Sequence, residues 1–133
     1  MEINQLTQII IGSAIEVHKR LGPGLLESAY EECLSYELKS NGCNIERQVP
    51  IPVVYRDIKL ECGYRIDILV NKTVVIELKS VDALAPIHEA QILTYMKFSN
   101  KSTGLLNYLN RMLLKNGIKC TKFKLCVTLW HPK

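Results

Sequence analysis

Apolar residues recur at helical spacing near the start of the chain. Ile10, Ala14, Val17 and Leu21 share one stripe, which predicts a first helix over about residues 5–20. Gly22-Pro23-Gly24 ends it, because Pro lacks an N–H and Gly admits unusual backbone angles. A second helix is expected from Leu25 to about Ser40, with Tyr30, Cys33, Leu34 and Leu38 along one side and Asn41-Gly42 as its stop. Short extended segments follow: Ile45 to Gln48, Ile51 to Tyr55, Ile58 to Glu61, Tyr64 to Val70 and Val74 to Leu78. Pro50 and Pro52 mark an edge or irregular strand, and Arg56-Asp57 reads as a turn. Ala85-Pro86 opens a third helix, Pro86 to about Phe98, since Pro suits a first turn. Gly104 to Leu109 and Phe123 to Trp130 read as strands, while Leu113, Leu114 and Asn116-Gly117 fit no element. The order is two helices, a strand cluster, a helix and further strands. It implies an α/β or α+β domain with one sheet covered by helices. With no repeat, linker or low-complexity segment, residues 1–133 read as a single domain.

One strand breaks its own pattern. In VVIELKS, Val74 to Ser80, the apolar run carries Glu77 and Lys79, whose burial is costly without partners. Side chains alternate across a strand, so Glu77 and Lys79 share a face. Asp67 is the matching anomaly in the preceding strand, YRIDILV. A two-residue loop would pair Asp67 with Ile76. The three-residue loop Asn71-Lys72-Thr73 pairs Val70 with Val74 and sets Asp67 opposite Glu77. Facing carboxylates repel, and one pKa rises unless a cation lies between them. Mg²⁺ accepts such oxygens together with waters. The alternative is an Asp–Lys or Glu–Lys ion pair with no metal, because D…ExK is a short pattern that occurs by chance.

Two helical constellations adjoin this one. His88, Gln91 and Tyr95 lie at i, i+3 and i+7 on the third helix and share a stripe. Gln91 and Tyr95 can donate to a phosphate or a water. The alternative is an amphipathic helix with a polar edge, its His88 capping local backbone groups. On the second helix, Glu27 and Tyr30 share a face with Glu31 and Leu34. Glu27 extends the acidic cluster, or is simply a glutamate favoured at a helix N-terminus.

Composition narrows the function classes. A chain of 133 residues, 47% hydrophobic and 23% charged, can bury a core. No apolar run is long enough to span a bilayer, and MEINQLTQ does not resemble a secretory signal, so a cytoplasmic protein without a membrane partner is expected. The five cysteines are odd in number, form no CxxC pair and read as reduced thiols. The net charge of +4 is unevenly spread: all thirteen acids lie at or before Glu89, whereas residues 90–133 hold eight Lys/Arg and no acid. That basic segment is either a polyanion footprint or a solubilising surface.

Taken together, Asp67, then Glu77-Leu78-Lys79, then Gln91-x-x-x-Tyr95 resemble the PD-(D/E)XK nuclease superfamily, the QxxxY helix resembling its RecB-like branch. GLLESAY, RQVPIPVVY, GYRIDILV, VVIELKSVDAL and PIHEAQILTYMK more closely resemble the small GxxExxY protein family. The resemblance runs from about Ile11 to Lys119, with Ile66 where the superfamily name has proline. It implies a restriction-endonuclease-like α/β core, a central mixed sheet flanked by helices. It implies that Asp67 and Glu77 ligate Mg²⁺ or Mn²⁺, that Lys79 positions the attacking water or stabilises the transition state, and that Glu27 completes the catalytic set. Tyr30, His88, Gln91 and Tyr95 would support the site or the substrate. The expected function is metal-dependent phosphodiester hydrolysis of nucleic acid, DNA rather than RNA. The alternative is a non-catalytic nucleic-acid-binding or assembly module that keeps the fold. So short a chain would use a homodimer or a protein partner to hold its substrate.

Overall fold

The structure is a computed structural model that describes residues 2–22, 24, 26–60, 63–80, 85–108 and 118–122. Helix α1 spans Ile3–Leu21 and α2 spans Glu27–Ser40. Strands β1 (Ile45–Pro50), β2 (Val53–Tyr55), β3 (Ile58–Leu60), β4 (Arg65–Val70) and β5 (Val74–Lys79) follow. Helix α3 (Pro86–Ser99) then leads to β6 (Thr103–Tyr108) and β7 (Ile118–Lys122).

Five strands form one sheet in the order β1-β4-β5-β6-β7, and β2-β3 form a separate two-stranded ribbon. Only β5–β6 is parallel; the other neighbours in the large sheet are antiparallel. A parallel pair needs a crossover, and α3 supplies it. Pro50 lies in β1 at the edge of the sheet, where a missing N–H is tolerated.

Each face of the sheet has its own apolar cluster. Leu6, Ile10, Ala14 and Val17 of α1 and Tyr30, Leu34 and Leu38 of α2 pack on Ile68, Val70, Val74, Ile76, Leu78 and Leu105. On the other side, Ile92 and Met96 of α3 pack with Ile51, Ile66, Leu69, Val75 and Leu106. The result is the expected α/β architecture, a mixed central sheet flanked by helices. Gly104 permits close approach of α3: a Cβ there would stand 2.7 Å from the Met96 sulfur and 3.0 Å from Ile92 Cδ1.

Several expectations shift. The α1 stripe ends one turn early, with Leu21 47% exposed and His18 buried instead. Ile51 is not in a strand; it is buried, and its N–H bonds the Tyr64 carbonyl (2.9 Å). Strand β7 runs antiparallel to β6, a pairing the sequence pattern did not suggest. The expected strand Phe123 to Trp130, and Leu113, Leu114 and Asn116-Gly117, lie outside the described residues.

The β4–β5 hairpin turns on Asn71-Lys72-Thr73, with Val70 paired to Val74, Leu69 to Val75 and Ile68 to Ile76. Asn71 and Lys72 adopt positive φ, as a tight three-residue loop requires. The paired register ends at Ile68–Ile76, and Asp67 and Glu77 are the next residues along the two strands.

A carboxylate pair at a break in the sheet

Regular pairing stops at Asp67 on both sides of β4. The β4–β5 ladder ends at Ile68–Ile76, and the β1–β4 ladder passes from Arg47–Ile68 to Val49–Ile66, leaving out Gln48 and Asp67. Gln48, inside β1, has φ 52°. Alternation fails at the same point: Ile68 packs toward α1 and α2, but Ile66 packs toward α3.

Side chains take over the backbone bonding at this break. The Asp67 N–H donates to Glu77 Oε1 (3.2 Å), and the Leu78 N–H donates to Asp67 Oδ2 (2.8 Å). The two carboxylates are thus held by each other's strands. Glu77 is 3% exposed and Asp67 is half-buried. Burial, then the neighbouring Asp67 charge, pushes the Glu77 pKa up to about 8, although Lys79 opposes the rise. Asp67 is raised as well, first by burial and then by Glu31 and Glu27, against the bonds from Leu78 and Gln48.

Helix α2 brings two acids. Glu27, in its first turn, accepts from the Ser80 N–H (2.8 Å) just beyond β5, and its charge reaches Asp67 and Glu77. Glu31 is buried and accepts from Gln48 Nε2 (2.6 Å) and Arg47 Nε (2.9 Å). Gln48 Nε2 also lies 3.4 Å from Asp67 Oδ1. Glu31, Gln48 and Arg47 had been assigned no role from sequence. The one available signal was Glu31 on the same helical face as Leu34, a charge on a core-facing stripe.

The other candidates divide. Tyr95 of α3 is half-buried, and its hydroxyl pKa is raised by burial and then by the Glu77 and Asp67 charges. The Tyr64 ring lies near it at a tilt, with ring centroids 6.0 Å apart and planes at 50°. Gln91, one turn earlier, has a buried Oε1 with no hydrogen-bond partner among the described residues. Lys79 is half-buried and makes no ion pair among them. His88 uses Nδ1 to accept from the Ala85 N–H (3.0 Å) and so caps α3.

Tyr30 is placed elsewhere. Its only proton goes to the Gly22 carbonyl (2.7 Å), so His18 Nδ1, 2.6 Å away, acts as donor to the phenol oxygen. It locks the junction of α1 and α2 and does not join the acids. Burial pushes its hydroxyl up to about 12 and keeps it protonated.

A sequence profile described as the PD-(D/E)XK nuclease superfamily matches residues 4–121, most of the chain. The chain belongs to the PD-(D/E)XK nuclease superfamily. Comparison with curated proteins and with solved structures gave no match. The superfamily's name describes an acid, then a second acid two positions before a lysine. In this chain Asp67 lies on β4, and Glu77 stands two positions before Lys79 on β5.

The donor set suits a hard divalent cation. Among the described residues no three His, Cys, Asp or Glu side chains converge tightly enough to enclose an ion. Two adjacent carboxylates, each with an oxygen left over from its backbone bond, match the way Mg²⁺ uses one or two carboxylates and keeps waters. The raised Glu77 pKa measures the unfavourable charge that a cation would relieve. No helix among the described residues is long and apolar enough to cross a membrane.

Proposed function

We propose that this chain is a divalent-metal-dependent nuclease that hydrolyses phosphodiester bonds, with DNA preferred over RNA. The observation that carries the reading is the Asp67–Glu77 pair, two carboxylates facing across the hairpin with neither in an ion pair among the described residues. An ion-paired structural domain would instead place Lys79 against one of them. Asp67 and Glu77 would hold Mg²⁺ or Mn²⁺, which supplies a more acidic water and a countercharge for a phosphoryl oxygen.

The remaining roles belong to the chain. Lys79, two residues along β5 from Glu77, orients the attacking water and offsets charge on the phosphate. Glu27 ties the start of α2 to the end of β5 and adds negative potential that favours cation binding. Tyr95 remains protonated, because burial and then the neighbouring negative charge disfavour its phenolate, and so can donate to a phosphate oxygen. Gln91 brings a buried amide oxygen one turn away. The GLLESAY stretch and the Gln91-x-x-x-Tyr95 spacing support placement in the GxxExxY family and near the RecB-like branch. The basic residues after Glu89 supply charge for a nucleic-acid backbone.

The test is cleavage of single- and double-stranded DNA and RNA by purified protein, with Mg²⁺, with Mn²⁺ and with EDTA. Glu77→Ala should abolish cleavage, and Lys79→Ala should reduce it by about a hundredfold or more, as loss of a charge-stabilising group does. Cleavage that survives both substitutions excludes these residues. Salt-sensitive DNA binding with no cleavage and no metal uptake would favour the non-catalytic module.

A further inference from the structure

We propose that Gln48 is a positioning residue for Asp67, fixing its carboxylate through the side-chain amide and separating it from Glu31 without adding charge. The inference rests on the reading of Asp67 as an ion ligand.

Gln48 is the unusual residue of β1. Its φ of 52° lies in the left-handed region, which costs a side chain with no special aptitude for it. Such conformations persist only where the surroundings over-determine them, and they cluster at functional sites. Here the interruption falls opposite Asp67. The Gln48 carbonyl leaves the ladder and accepts from Arg65 Nη1 (3.3 Å), while the side-chain amide stands between two acids.

An amide nitrogen has two N–H groups, one for each carboxylate. The bond to Glu31 Oε1 is short (2.6 Å), and the contact with Asp67 Oδ1 is long (3.4 Å). Gln48 is therefore anchored on α2 and restrains Asp67 from that side. Arg47 fixes the other Glu31 oxygen (2.9 Å) and reaches Glu32 (3.1 Å), so the anchor is firm. Asp67 Oδ2 is set by the Leu78 N–H. Two points, one from β5 and one from β1, define the plane of the carboxylate. A lysine or arginine at position 48 would compete with a metal cation for Asp67, whereas a neutral amide restrains the carboxylate and leaves its charge available.

The experiment compares wild type with Gln48→Met, which keeps length but has no N–H, and Gln48→Gly, which fits the backbone and removes the side chain. In metal-free, ¹⁵N-labelled protein, exchange of the Leu78 amide reports on how firmly Asp67 is held, with Val75 as control. Leu78 should exchange about tenfold faster in both variants while Val75 is unchanged, a local opening and not a global one. Calorimetric Mn²⁺ titration should show about tenfold weaker binding in both, the usual scale for losing a partner that orients a ligand. Wild-type Leu78 exchange in either folded variant overturns the proposal, as does an effect confined to Gln48→Gly, which would assign it to the backbone. If wild type itself takes up no Mn²⁺, the metal reading fails, and Leu78 exchange still decides whether Gln48 positions Asp67.

Discussion

Replacing Glu77 with glutamine should stabilise the metal-free protein, and more so as pH rises. Gln keeps the shape, and its carbonyl can still accept the Asp67 N–H. Only the titration is lost. The Glu77 pKa lies at 4.5 when unperturbed and at about 8 in the fold. Because the folded value is the higher one, the native state holds a proton that the unfolded chain has released. The associated stability is complete below about pH 4.5, declines as pH rises and is gone above about pH 8. At about 1.4 kcal/mol per pH unit, a rise of this size corresponds to about 3–5 kcal/mol. The assay is urea unfolding in EDTA at half-unit steps from pH 4.5 to 8.5. Wild type and Glu77→Gln should agree within about 1 kcal/mol at pH 4.5 and diverge to about 3 kcal/mol or more at pH 8, the variant being more stable. Asp67, also raised, tilts both curves in the same direction. A difference that does not change with pH, or a wild type more stable at pH 8, would refute the reasoning and point to an ionised Glu77 paired with Lys79.

The same proton competes with metal: calorimetric Mn²⁺ affinity should tighten by up to about tenfold per pH unit between pH 6 and 8 and level off above, since binding requires the deprotonated carboxylate. An affinity that does not vary across that range would contradict it. Tyr30→Phe should cost about 1–2 kcal/mol, by removing the bond to the Gly22 carbonyl and the one from His18 Nδ1. Its Mn²⁺ affinity should match wild type, because Tyr30 lies apart from the acids; thermal unfolding and calorimetry check both halves. Gly104→Ala drives a methyl into Met96 and Ile92 and should cost about 1–3 kcal/mol in urea unfolding. No loss at all would mean that α3 can move off β6 freely.

Much of the site could be read from the chain because strand pairing is arithmetic. Three loop residues fix the register from Val70–Val74 to Ile68–Ile76, which the structure adopts, and this brings Asp67 and Glu77 together even though the regular pairing and alternation stop there. Helix α3 was legible from Ala85-Pro86, since Pro suits a first turn. Other features depend on partners that sequence does not reveal. Strand β7, IKCTK, lacks an apolar run, and its pairing comes from β6. The conformation of Gln48 was invisible, since glutamine carries none of the turn preference of Gly or Asn. Glu31 was seen to share a face with Leu34, but its burial depends on Arg47 and Gln48 from another segment. Tyr30 was grouped with Glu27 by helical spacing, yet its hydroxyl is engaged by a backbone carbonyl at the end of α1.

Glu27 bonds the backbone at Ser80, 53 residues away in the chain, and Gln48 bonds Asp67 across 19. Contacts of such separation require loops to close first and are slow to form. The hairpin that pairs Asp67 with Glu77 is local and can form early, but the α2 acids and the amide of Gln48 arrive only with the whole domain. A chain in which only the hairpin has formed therefore carries two carboxylates without the groups that surround them in the fold. The full set of polar groups around the carboxylate pair is thus a product of tertiary folding and not of the hairpin alone.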